Sequence, residues 1–145
     1  MRIQDSLSKF KKYLNINFET EKGFFNYNLL SGPFTKILTQ CRLGLCSLNN
    51  ELFTYNLTDN PYCTHCCSEF ESVGHFLLFC PRFQVARVSY FAKLRLFVTN
   101  FDSYHGKSLV NVCLQGSVDF DFDSNYNILL CTLKYIEQSK RFLDS

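Results

Sequence analysis

From residue 33 onward the apolar residues recur mostly at the three- and four-residue spacing of helices, with polar residues and glycines between the runs. Phe34, Ile37, Leu38, Cys41 and Leu45 form the first such set, with Pro33 suited to the first helical position and Gly44 near the end. Ser47 is placed to cap a second short helix carrying Leu48, Leu52 and Leu57, which runs into a turn at Asp59, Asn60 and Pro61. The clearest pattern covers residues 81–98: Phe83, Ala86, Tyr90, Leu94 and Phe97 share one stripe, and Arg82, Arg87, Lys93 and Arg95 are distributed elsewhere. A last helix, capped by Ser124, turns Ile128, Leu129, Leu133 and Ile136 to the core, while Lys140 and Arg141 complement its C-terminal dipole.

The remaining stretches are less regular. Residues 6–14 read as a short helix capped by Asp5 or Ser6, with Lys9, Lys11 and Lys12 on its basic side. Residues 99–107 read as a loop, residues 108–114 as a short apolar segment compatible with helix or strand, and residues 115–123 as an acidic-aromatic connection. The pattern predicts a mainly α fold and a single domain over residues 1–145, with residues 1–30 as a loosely packed N-terminal extension.

Composition narrows this further. A 145-residue chain that is 46% hydrophobic and 17% aromatic has ample material for a core, which argues against disorder. Fifteen Lys and Arg against thirteen Asp and Glu leave a formal charge of +2, so there is no overall basic field. The charge is uneven: residues 1–100 hold eleven basic and seven acidic side chains, residues 101–145 four and six, so an anionic partner is expected on the first two thirds. No apolar run approaches the roughly 18–20 residues of a membrane span. Residues 1–12 lack the apolar core of a signal peptide, so the expected setting is intracellular, nucleus or cytoplasm, and reducing. There the eight cysteines are better read as metal ligands and buried thiols than as disulfides.

Four of these residues have metal-site spacing. Two residues separate Cys63 from Cys66, eight more intervene before His75 and four more before Cys80. Zn²⁺ favours four tetrahedral ligands of soft sulfur and borderline nitrogen, and a two-residue gap lets one tight turn aim two thiolates at a point. Residues 60–82 are therefore expected to form a zinc knuckle with Cys-Cys-His-Cys ligands, around which the helices assemble. On a regular helix, positions five apart differ by about 140° in azimuth, which would separate His75 from Cys80. Pro81 answers this, because the residue before proline leaves the α region; Cys80 is expected just past a helix begun near Ser72. Cys67 in place of Cys66, and a cluster of unliganded buried thiols with a core histidine, are the alternatives. Four protein ligands leave no open position for a catalytic water, so the site reads as structural and the chain as non-catalytic.

A family resemblance adds to this reading. Arg42, Leu43, Gly44, Leu45, Cys46, Ser47 and Leu48, then Asn60, Pro61, Tyr62 and Cys63 with Cys66, then Glu71 through Gly74, His75, Cys80, Pro81, Arg82 and finally Arg87 resemble the zinc-binding region downstream of non-LTR retrotransposon reverse transcriptases. Ile128, Leu129, Leu130, Leu133, Ile136, Arg141 and Phe142 look like the closing helix of jockey-like elements. The resemblance implies that Cys63, Cys66, His75 and Cys80 hold the metal and that the module helps engage template RNA or target DNA. The chain has no adjacent aspartate pair of the polymerase kind and no convincing nuclease carboxylate set, so it resembles a C-terminal piece of such a protein.

Other motifs weigh less. Asp119, Asp121 and Asp123 open like a calcium loop, but Ser124 and Leu130 stand where glycine and glutamate are required; a capped approach to the last helix, with Phe120 and Phe122 turned inward, fits better. Cys41, Cys46, Cys113 and Cys131 lie in apolar segments and read as small buried hydrophobes. A cysteine-histidine nucleophile pair would have to draw on His65, His75 or His105; two belong to the knuckle and the third to a loop. Lys36, Arg42, Arg82, Arg87, Lys93 and Arg95 are the candidate phosphate contacts, against the plain alternative of a solvated helix face. A basic face beside the knuckle would favour nucleic acid. An apolar patch would favour docking on a protein, such as a polymerase domain or a second copy.

Overall fold

A computed structural model describes residues 33–143, so the expected helix at 6–14 and the N-terminal extension at 1–30 lie outside the described residues. The architecture is mainly α. Among the described residues five α-helices follow one another: α1 (Pro33–Leu43), α2 (Asn49–Thr54), α3 (Gln84–Phe97), α4 (Lys107–Gln115) and α5 (Phe122–Ser139). Among the described residues the one pairing of extended backbone is an isolated antiparallel bridge, Tyr62 with Phe70. No described helix is long and apolar enough to cross a membrane.

α5 is the centre of the packing, with α1, α3 and α4 laid against it. Its buried stripe holds the expected Ile128, Leu129 and Ile136, and adds Cys131, Thr132 and Tyr135; Leu133 is half-buried at the margin. Tyr135 stacks on Tyr90 of α3 with centroids 4.6 Å apart, and Phe76 meets Phe83, Tyr135 and Phe142 at 5.2–5.4 Å. The polar ends of this aromatic core are satisfied. Tyr90 Oη and Thr132 Oγ1 share a 2.8 Å hydrogen bond, and Thr132 Oγ1 donates to the Cys113 carbonyl at 2.7 Å. Cys41, Cys46, Cys113 and Cys131 are buried free thiols, and burial pushes Cys113 up to about 12, which keeps it neutral.

Several boundaries depart from the sequence pattern, each for a local reason. The segment compatible with helix or strand is α4, set off by left-handed Gly106 (φ 51°) and Gly116 (φ 70°). Gly116 is required: a Cβ there would come within 2.2 Å of Asn125 Oδ1, which accepts the Ser117 N–H at 2.9 Å. Asp121, not Ser124, caps α5, its carboxylate accepting the Ser124 N–H at 2.7 Å. Phe120 packs against the core as expected, but Phe122 is the first residue of α5, lies off its core stripe and is exposed. Ser47 does not cap α2; the N–H groups of Asn49 and Asn50 go instead to Glu71, at Oε1 (2.8 Å) and at the backbone carbonyl (3.1 Å). Leu57 lies beyond α2 and is exposed. The helix expected over 81–98 begins with a 3₁₀ turn, Pro81–Phe83, before α3.

Candidate metal centre

Between α2 and α3 the chain makes a loop, a bridge and two short helical segments, and these bring four ligand atoms together. The Sγ atoms of Cys63, Cys66 and Cys80 and a ring nitrogen of His75 all lie within 4.8 Å of one another. Cys63 and Cys80 Sγ are 3.8 Å apart, and Cys66 Sγ is 3.4 Å from His75 Nε2. The donor set and the mutual distances fit a single metal ion. Cys63, His75 and Cys80 are buried and Cys66 is half-buried, so the metal position is shielded from bulk water.

Local backbone explains each placement. The Cys63 N–H donates to the Glu69 carbonyl and the Cys67 N–H to the Cys63 carbonyl, both at 2.8 Å, closing a turn that directs Cys63 and Cys66 inward. Cys67 adopts a left-handed φ of 59°, and its Sγ lies 3.7 Å from the Thr64 carbonyl. It is exposed and outside the cluster, so the alternative of Cys67 as ligand is not realised.

The His75 and Cys80 pair is solved differently from the expectation. His75–Phe79 is a π-helical segment, closed by the Cys80 N–H on the His75 carbonyl at 2.8 Å. An i to i−5 turn contains one more residue than an α turn, so the fifth residue comes back near the starting azimuth. Winding, rather than an exit from a regular helix alone, reconciles the four-residue gap. Cys80 is also extended (φ −62°, ψ 122°), as the following proline predicts. Ser72 starts the segment, its Oγ accepting the His75 N–H at 3.0 Å.

Around the ligands lies a supporting set of polar contacts. Glu69 Oε2 sits 3.0 Å from His75 Nδ1 and orients the imidazole with Nε2 toward the sulfurs. The Ser68 hydroxyl and backbone N–H pull Cys66 down to about 6, favouring the thiolate, whereas burial pushes Cys80 up to about 11. Buried Glu71 joins the loop to the rest of the fold. Its carboxylate takes two 2.7 Å hydrogen bonds from the Arg141 guanidinium, which also reaches the Ser47 carbonyl at 3.1 Å.

The six predicted phosphate contacts do not form one set. Arg87 is buried: it donates to the Leu77 and Cys80 carbonyls at 3.0 and 2.8 Å and to Phe76 O, Gln84 Oε1 and Tyr135 Oη. Its guanidinium closes the carbonyl end of the π-segment, which removes it as a phosphate contact. Arg95 pairs with Asp102 at 2.9 Å and lies 4.5 Å over the Phe101 ring. Lys36 is exposed and Arg42 half-buried on α1, and Lys93 is exposed on α3. Of the six, Arg82 lines a cleft beside the metal loop, with Thr64, His65 and Lys140.

Sequence reasoning missed Glu69, Glu71 and the buried role of Arg87. A carboxylate beside an aromatic, or an arginine on an amphipathic helix, looks the same in sequence whether solvated or buried; only the partner's position distinguishes them. The sequence places Lys140 and Arg141 at the dipole of the last helix, yet Arg141 turns away to Glu71. No family model matches the chain, and neither a curated protein nor a solved structure matches it.

Proposed function

We propose that the chain is a non-catalytic zinc module that binds nucleic acid, of the kind found downstream of non-LTR retrotransposon reverse transcriptases. The donor set and its close spacing carry the zinc assignment. With bonds of about 2.3 Å to sulfur and about 2.0–2.1 Å to nitrogen, tetrahedral zinc sets edges of about 3.8 Å between sulfurs and about 3.5 Å between sulfur and nitrogen. The Cys63 to Cys80 and Cys66 to His75 separations of 3.8 and 3.4 Å fit both. Three thiolates and an imidazole fill the coordination sphere, so the ion's work is folding: in zinc-finger peptides, metal contributes about 10–16 kcal/mol apparent.

Support for nucleic acid comes from the cleft beside the knuckle, where Arg82 and Lys140 stand with the exposed Thr64 and His65. Template RNA and target DNA present the same phosphate chemistry to such a surface. The first test is elemental analysis of protein purified without chelator, with Cys63→Ser and Cys80→Ser alongside. About one zinc per chain, lost in both variants together with helical signal, is the expected result. Titration with labelled single-stranded RNA and DNA over a salt series follows; affinity that does not fall with salt would refute phosphate engagement.

A second reading, docking on a protein, is favoured by one observation. Val85, Val88 and Leu96 are 89%, 62% and 75% exposed. With Ala92 they follow one stripe of α3, away from its buried face of Arg87, Tyr90 and Leu94. Under this reading a Val88→Glu variant would lose a protein partner and keep its nucleic-acid affinity.

A further inference from the structure

We infer that the cleft between the metal loop and the end of α5 is a phosphate seat, in which Lys140 and Arg82 clasp one backbone phosphate; this rests on the nucleic-acid reading above. The cleft has a volume of about 290 Å³ and is lined chiefly by Thr64, His65, Arg82, Ser139, Lys140 and Arg141, with no acidic side chain on its walls. Arg141 adds little net charge, because its guanidinium is committed to buried Glu71 and to the Ser47 carbonyl. Lys140 and Arg82 are exposed, and neither takes part in an ion pair among the described residues. Two cations with no neutralising partner on the walls thus face one concavity, and Thr64 supplies a hydroxyl donor at its edge.

The backbone at Lys140 is a separate observation. Lys140 ends α5 in the left-handed region, φ 58° and ψ 16°, where glycine is the usual residue because a Cβ is disfavoured there. The C-terminal dipole of α5 favours a positive charge at this end, but an ordinary lysine one turn earlier would meet that need without left-handed backbone. The conformation instead goes with a place for Lys140 on the wall of the cleft that Arg82, in the 3₁₀ turn, also lines. The metal loop contributes Thr64 and His65, whose ring meets Phe83 edge-on at 5.5 Å. Metal loop, Pro81 turn and helix end are therefore brought together around one cleft.

Glycine at position 140 makes the test discriminating. Lys140→Gly removes the Cβ penalty and the dipole complement together, so the thermal midpoint and zinc content should stay near the parent values. Arg82→Gln provides a second variant, and Lys134→Gln, elsewhere on α5 and facing Glu137 at 3.6 Å, is the control for charge alone. Binding of a labelled single-stranded oligonucleotide to the full metal-loaded chain is measured by anisotropy over a salt series. Each seat variant should weaken binding about tenfold and make the slope of log K against log salt shallower by about 1, while Lys134→Gln changes neither. Equal binding by Lys140→Gly and Arg82→Gln, with zinc and midpoint retained, overturns the seat and leaves the nucleic-acid reading standing. If the parent chain binds no oligonucleotide, titration with inorganic phosphate decides by NMR. Shifts at Lys140, Arg82 and Thr64 that vanish in Lys140→Gly support the seat while the nucleic-acid reading fails; no shifts overturn both.

Discussion

Glu71→Gln isolates the contact on which the metal loop, α2 and the C-terminal segment converge. The Glu71 side chain is 1% exposed, and its two oxygens accept from Arg141 Nε and a terminal guanidinium nitrogen, each at 2.7 Å. Oε1 also accepts the Asn49 N–H that would otherwise be orphaned at the start of α2. Removing one member of a buried ion pair costs about 3–5 kcal/mol, because the remaining charge is left desolvated. Arg141 is 15% exposed and recovers part of its hydration, so the expected loss is about 2–4 kcal/mol. For a chain of this size that corresponds to a fall of about 6–14 °C in thermal midpoint. The assay is reversible urea unfolding of metal-loaded protein for the parent, Glu71→Gln, Arg141→Gln and the double Glu71→Leu, Arg141→Leu. Both single variants should be less stable than the double, since replacing a buried pair with apolar groups removes its desolvation cost. A loss below about 0.5 kcal/mol in Glu71→Gln, or singles that add without coupling, would refute the buried-pair reasoning.

The other predictions address the metal ligands, the π-segment and the helix cap. Arg87→Met leaves the Leu77 carbonyl without its donor, while the Phe76 and Cys80 carbonyls keep Tyr135 Oη and the Phe83 N–H; after allowing for the charge no longer buried it should cost about 1–3 kcal/mol, read by urea unfolding. Glu69→Gln should weaken metal affinity about tenfold in competition with a chromophoric chelator; Glu69 is exposed, which places it at the low end of such effects. Acidification should release the metal, because three thiols must be deprotonated to bind it, and proton uptake on release is measurable in weakly buffered solution. The Ser124 backbone N–H holds the Asp121 carboxyl below its ordinary value, so this cap stabilises α5 above the unfolded-state pKa and fades as pH falls through the folded one. Asp121→Asn, an uncharged cap of similar quality, should flatten that part of the stability profile in a thermal midpoint series.

The metal site also accounts for the packing at one end of the fold. Arg87 ties the carbonyl end of the π-segment to α3, Tyr135 Oη donates to the Phe76 carbonyl from α5, and Glu71 ties the loop to Arg141. Loss of the ion would therefore loosen three junctions together. In Cys80→Ser this should appear as a broad drop in helical signal rather than a local one.

Local chemistry determined much of this protein before any tertiary contact is considered. Apolar spacing marked α1, α3 and α5, because each helix must turn one stripe of side chains inward, and the Cys63, Cys66, His75 and Cys80 spacing marked the ligand set. Proline at 81 settled the extended backbone of Cys80 from its immediate neighbour alone. What required the tertiary structure are the features whose energy depends on a distant partner. The π winding of His75–Phe79 is held by Arg87 and Tyr135, 7 to 59 residues away from the carbonyls they reach. The cap of α2 comes from Glu71, 22 residues from Asn49, and that carboxylate is in turn held by Arg141, 70 residues on. A charged residue buried by such a partner is indistinguishable in sequence from one left in water, because burial is decided by what the chain brings against it.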